Sequence, residues 1–156
     1  MKTLNEYKSL IEQWSIERNL HTANPKAQFL KVVEEAGEIY EAIEKDSVTD
    51  LMDAVGDTYV TMVILAQQLG VELKLVEVNI VHQYDNELII QLSKIASGLS
   101  KNKDTTENVN KAFSIVVNLA ADCNCDFLEC VSFAYNEIKD RKGKMVGGTF
   151  VKEEDL

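Results

Sequence analysis

Apolar residues recur along the chain mainly at three- and four-residue spacing, the pattern of helices that bury one stripe. The first such run spans Leu4 to about Arg18, and a polar loop through His21 and Thr22 follows it. Asn24 then caps a second helix with Pro25 at its first position, where a missing N–H costs nothing, and this helix continues to about Glu44. Ser47 or Thr49 starts a third helix that lasts to about Leu69 and stops at Gly70. Val76, Val78, Ile80 and Val81 alternate well enough for a strand, but no partner strand is visible. Glu72 to about Leu99 is therefore predicted helical, with a break near Asp85. Asp104 with Glu107 makes a capping pair for a helix to about Asp122, and a last helix runs roughly from Phe127 to Arg141. The tail GGTFVKEEDL is expected to be mobile. The class is all-α, a bundle of antiparallel helices.

Composition changes this picture little. One proline and seven glycines leave scant punctuation for a β-rich fold, and 156 residues are the size of one domain. Cys123, Cys125 and Cys130 are odd in number and have no histidine nearby to complete a zinc set, so they read as reduced thiols. The N-terminus lacks a signal-peptide core, and no segment offers the roughly 18 uncharged apolar residues of a membrane span. A soluble, cytoplasmic protein is expected. The formal net charge of −10 argues against binding a nucleic-acid polymer. A small phosphorylated ligand stays open, provided a bound cation and a few local basic residues meet its charge.

The second helix divides cleanly on a wheel. Phe29, Val32, Val33, Ala36, Ile39, Tyr40 and Ile43 form an apolar arc, while Lys31, Glu34, Glu35, Glu38 and Glu41 lie opposite. Taken alone, such an acidic run is a solvated face. The third helix alters that reading, because from Tyr59 to Ala66 it is apolar on nearly every side, with Asp57 just before the run and Asp53 and Asp50 one and two turns earlier. A buried unpaired carboxylate is expensive, and a cation is one of the few partners that compensates several acids at once. Two antiparallel helices on a short loop face each other. Glu35 and Glu38 can then converge with Asp57 and Asp53 into an all-oxygen site suited to magnesium or manganese. Asp50 can instead complete the Ser47 cap, and Glu34 can be either a base behind the ligands or a surface residue.

NPKAQFLKVVEEAGEIYEAIEK followed by DLMDAVGDTYVTMVILAQQLGV, and the closing NEIKDRKGKMVGGTFVKEEDL, resemble the MazG-like nucleotide pyrophosphohydrolases, especially their short phage and bacterial members. The resemblance implies an all-helical enzyme that uses magnesium to split a nucleoside triphosphate into monophosphate and pyrophosphate. Its pattern, EExxE on one helix and ExxD on the next, places Glu35, Glu38 and Asp57 on metal-ligand positions and Glu34 on the first acid of the pair. The acid expected three residues before Asp57 is Ala54 here, and the nearest carboxylate, Asp53, lies about 100° away around the helix. That departure bears on the second metal and on the rate. Lys31, Arg141 and Lys144 are the candidate phosphate contacts, although basic residues at a helix C-terminus also favour its dipole. Trp14 and His21 could border the base, but a lone tryptophan spaced with Leu10 and Ile11 is more often core.

Shifted by 54 positions, Tyr59 falls on Phe113, Val63 on Val117, Leu65 and Ala66 on Leu119 and Ala120, and Gly70 on Asn124. Residues 83–142 thus echo the acidic half, 1–82, as a degenerate copy expected to cover its apolar faces within a single domain, with 143–156 as the tail. The echo lacks the acids: Ile89 and Leu92 stand opposite Glu35 and Glu38, and Lys111 opposite Asp57. The expected function is triphosphate hydrolysis that cleanses a nucleotide pool, with a homodimer left open as the assembly. The alternatives are a catalytically weak nucleotide- or metal-binding protein and an acidic helical interaction module.

Overall fold

The computed structural model describes residues 1–79 and 82–156. Among them six α-helices carry the fold: α1 (Leu4–Glu17), α2 (Pro25–Glu44), α3 (Val48–Leu69), α4 (Glu87–Ser100), α5 (Thr106–Asp122) and α6 (Phe127–Ile138). A small ribbon of β1 (Gly143–Val146) and β2 (Thr149–Lys152) and a 3-10 turn (Glu153–Asp155) follow. The all-α bundle holds, and no helix is long and apolar enough to cross a membrane.

Local signals set the helix starts. Thr3 and Glu6 close a reciprocal capping box on α1, Asn24 accepts the Lys26 N–H before Pro25, and Ser47 accepts that of Asp50. The stops are more unusual: Asn19, Asp46, Gly70, Asn102 and Asn124 all take positive φ just past a helix, with values between 52° and 66°. Asn and Asp tolerate the left-handed conformation, so they punctuate a chain that has few glycines.

α3 lies at the centre, fully buried at Val55 and Val63, with α2, α6, α1 and α5 packed around it. α2 turns Phe29, Val32, Ala36 and Ile39 inward, whereas Val33, assigned to the same arc by the wheel, is 38% exposed. α6 packs tightly on α3 at Gly56, where a methyl group would run into the Cys130 carbonyl and the Ala134 side chain. Tyr59 and its counterpart Phe113 meet with their rings tilted by 39° and 5.6 Å apart, and Phe127 closes the aromatic cluster.

Three expectations need correction. Residues 72–79 and 82–86 are not helical; Ile80 and Val81 lie outside the described residues. Residues 72–79 are an extended strap along α5, and its partner is a row of side chains in place of a strand. Buried Asn110 accepts the Lys74 N–H and donates to the Glu72 carbonyl, and buried Ser114 accepts the Val76 N–H. The Asp104–Glu107 capping box does not form, because Asp104 accepts from Thr106 while Glu107 pairs with Lys111. The last helix ends at Ile138, short of Arg141, and the tail beyond it folds into the hairpin, whose two-residue turn is Gly147–Gly148 with φ of 59° and 83°.

Candidate active site

The elements that meet at one end of the α2–α3 pair enclose a cavity of about 280 Å³. α2 contributes Gln28, Lys31, Glu34 and Glu35, which lie at helical spacing on one stripe. α3 contributes Asp57, Thr61, Ile64 and Gln68 from a matching stripe. Trp14 and Leu20, together with Arg141 and with Gly148, Thr149, Phe150 and Lys152 of the hairpin, close the cavity over the two helices. Because α2 and α3 run antiparallel, the acids and bases gather at one end. The apolar groups and the two glutamines gather at the other.

The end of α6 is held in place by α1. The Trp14 indole donates to the Ile138 carbonyl at 2.8 Å, and the Arg18 guanidinium donates twice to the Arg141 carbonyl, at 2.6 and 3.1 Å. The Ile138 carbonyl, the last of α6, also accepts the Arg141 N–H at 2.8 Å, so both side chains grip the turn that follows the helix. Arg18 also lies over the Trp14 ring at 4.3 Å, and Phe150 meets that ring edge-on with centroids 5.5 Å apart. These contacts aim the Arg141 side chain at the cavity and dock the hairpin on α1.

The electrostatics of the acid end are strained. Burial, with the negative charges of Asp57, Glu38 and Glu34, pushes the Glu35 carboxyl up to about 7. Burial also raises Asp57 to about 6, aided by Asp53 and Glu137 and opposed by Arg141. Glu34 is exposed and paired with Lys31 at 2.9 Å. Glu38 and Asp53 line an adjacent cleft with Glu41, Asp50 and Lys45, so the α2–α3 acids divide between two spaces one helical turn apart. Among the described residues, no three acidic, histidine or cysteine side chains already stand close enough together to hold a metal ion.

The candidate phosphate contacts separate. Lys31 and Arg141 reach the cavity; Lys144 does not line it, being exposed on β1 opposite Val151. Lys152, opposite Gly143 on the other face of the ribbon, takes that place. Trp14 is both core and cavity wall, only 7% exposed. Gln28, Phe150, Lys152 and Glu137 were missed by sequence reasoning. A Gly-Gly pair between the apolar-rich runs KMV and TFV is a hairpin signal that could have found Phe150 and Lys152.

A family model described as phosphoribosyl-ATP pyrophosphohydrolase matches residues 1–83, which cover α1 to α3 and every α2 and α3 residue of the cavity. The chain belongs to the phosphoribosyl-ATP pyrophosphohydrolase family. That places it in the MazG-like all-α superfamily, in agreement with the fold. It is also similar to an uncharacterised 18.2 kDa protein from the rep-hol intergenic region of Haemophilus phage HP1 (strain HP1c1), 41% identical over 69 residues. That match covers 44% of this chain and 42% of the phage protein, so the chain spans well under half the length of the curated relative it matches. No solved structure gives a significant match. The family match stops where the strap begins to give way to α4, so the cavity's far wall, Ile138 to Lys152, lies outside it.

Proposed function

We propose that this member of the pyrophosphohydrolase family splits nucleoside triphosphates into nucleoside monophosphate and pyrophosphate, with magnesium, or manganese in its place. The observation that carries the reading is the polarity of this cavity: an apolar end able to take a base, and a charged end in which Lys31, Arg141 and Lys152 face Glu34, Glu35 and Asp57. The bases would hold phosphate oxygens, with Arg141 offering a planar fork of donors. Glu35, with Glu34 beside it, would take the proton of a water attacking the α-phosphorus. The bond from that phosphorus to the bridging oxygen then breaks and pyrophosphate leaves.

The residues suit a divalent cation in their chemistry. Glu35, Glu38, Asp53 and Asp57 offer hard oxygen donors, and the raised proton affinities of Glu35 and Asp57 express a demand for positive charge. Glu38 is exposed and Asp53 half-buried, so both side chains have room to turn toward a cation. When bound, the cation would neutralise phosphate charge and make a water more acidic. The test is release of pyrophosphate, followed with and without magnesium. Inorganic phosphate as the sole product, or full activity in excess chelator, sinks the proposal.

A second reading is favoured by Ala54, which is only 2% exposed and faces the core, so the family's fourth acid has no opening there. In that case the chain binds nucleotide and cation but turns over slowly. Tight binding by calorimetry without pyrophosphate release would select it.

A further inference from the structure

Beneath the apolar end of the cavity, backbone carbonyls engage the indole and hydroxyl donors and one N–H of each glutamine amide. The Trp14 indole N–H is spent on the Ile138 carbonyl, and the Thr61 hydroxyl on the carbonyls of Asp57 and Thr58. The Gln28 amide nitrogen sits 3.0 Å from the Thr61 carbonyl, and that of Gln68 2.8 Å from the Leu20 carbonyl. Flipping either amide would set oxygen against oxygen, so the backbone fixes both orientations. Each amide oxygen is thereby turned away from its anchor. Gln28 is 93% buried by its 7% exposure, its oxygen accepts no hydrogen bond from the described residues, and the space it borders is the cavity. It lies on the same stripe of α2 as Glu35, seven residues earlier and so about 10 Å along the axis. That is comparable to the reach from a nucleotide's α-phosphate to the far edge of its base.

We infer that the cavity selects a nucleobase bearing an exocyclic amine, which donates to the side-chain oxygen of Gln28. The inference rests on the nucleoside triphosphate reading of this site. An amine-bearing base such as cytosine or adenine satisfies the fixed acceptor. Its oxo counterpart, uracil or hypoxanthine, sets a carbonyl against that oxygen in the same pose and must shift across the cavity to bring its ring N–H there instead.

The experiment compares matched pairs that differ only in that group. Pyrophosphate release is measured for CTP against UTP and for ATP against ITP, and binding of CMP against UMP and of AMP against IMP by calorimetry without metal. The expected result is a preference for the amine of ~10–100-fold in at least one pair. It should shrink to within ~3-fold in Gln28→Met, which keeps the shape and removes the acceptor, and persist in Gln28→Glu, which keeps an acceptor. Each readout is a ratio on one sample, so partial unfolding of a variant lowers both members alike. Equal handling of both members in every pair overturns the inference, as does a preference that survives in Gln28→Met. A monophosphate preference without any triphosphate hydrolysis would retire the hydrolase reading and leave the base-reading role of Gln28 standing.

Discussion

The α2–α3 and α4–α5 hairpins are built alike and charged differently. Each ends with a left-handed residue, Gly70 in one and Asn124 in the other, and in each the next N–H returns to a carbonyl five residues back, Val71 to Ala66 and Cys125 to Ala120. Their central aromatics, Tyr59 and Phe113, touch. Yet the stripe that holds Glu35, Glu38 and Asp57 in the first holds Ile89, Leu92 and Lys111 in the second, and Leu92 is buried. Interior packing and surface chemistry are separable: the apolar spacing maintains the hairpin, and the acids at the α2–α3 face are an addition the fold does not need. We propose that the second hairpin is a degenerate copy of the first.

The comparison can be broken most forcefully at Ala54. Restoring the family's acid there with Ala54→Glu sets a carboxylate against the core, so a loss of roughly 3–5 kcal/mol is expected in chemical denaturation, with no gain in turnover. A variant as stable as the parent, or a faster one, would mean the position opens toward the cation. Next in size, Asp57→Asn should cut pyrophosphate release at least ~100-fold, or about 2.7 kcal/mol of barrier, while the apo protein melts at the same temperature or higher because a charge burdened by burial and by Asp53 is gone. At the equivalent place in the second hairpin, Lys111→Asn should leave the rate within about twofold. Equal losses in the two variants would defeat the assignment.

A smaller effect separates how each hairpin is clamped. Gly56→Ala should cost about 1–3 kcal/mol by prising α6 from α3. Asn110, 54 positions on, holds the strap by two hydrogen bonds, and Asn110→Ala should cost a similar amount by leaving the Lys74 N–H and Glu72 carbonyl without partners. Urea titrations of both variants check this. The smallest effect is in pH. Glu35 and Asp57 are raised on folding, so the folded apo protein binds more protons than the unfolded chain. Their contribution is fully present below about pH 4 and is lost as pH rises through 6 and 7. The double variant Glu35→Gln, Asp57→Asn should flatten that decline by on the order of 1 kcal/mol after solvent screening, with no metal present. A parent whose stability rises between pH 5 and 7 relative to the double variant would contradict it.

Most helices were legible because a 3.6-residue period and a polar cap are local properties. Asn24–Pro25 and Ser47 begin α2 and α3 where the sequence says, and Gly70 ends α3. The strap was not legible, because the groups that satisfy its backbone are Asn110 and Ser114, 36 and 38 residues away. Asp57 was legible by its place beside an apolar run, and the Glu35 stripe by its contrast with the core arc. Lys152 and Phe150 were not, since their role depends on a hairpin docking against Trp14 from the other end of the chain. Lys144 illustrates the same limit in reverse: one residue of register on a two-residue period decides which face of the ribbon a lysine occupies.

That docking also fixes an order in time. The acids of α2 and α3 emerge early in synthesis, whereas Arg141 and the hairpin emerge late. At ~5–20 residues per second, roughly 5–20 s separate Asp57 from Lys152. During that interval a nascent chain carries its carboxylates beside an open groove with no arginine or Phe150 wall. The ribosome-bound protein would therefore hold nucleotide poorly, and messages cut short before the hairpin would yield chains that keep the acids but not the pocket.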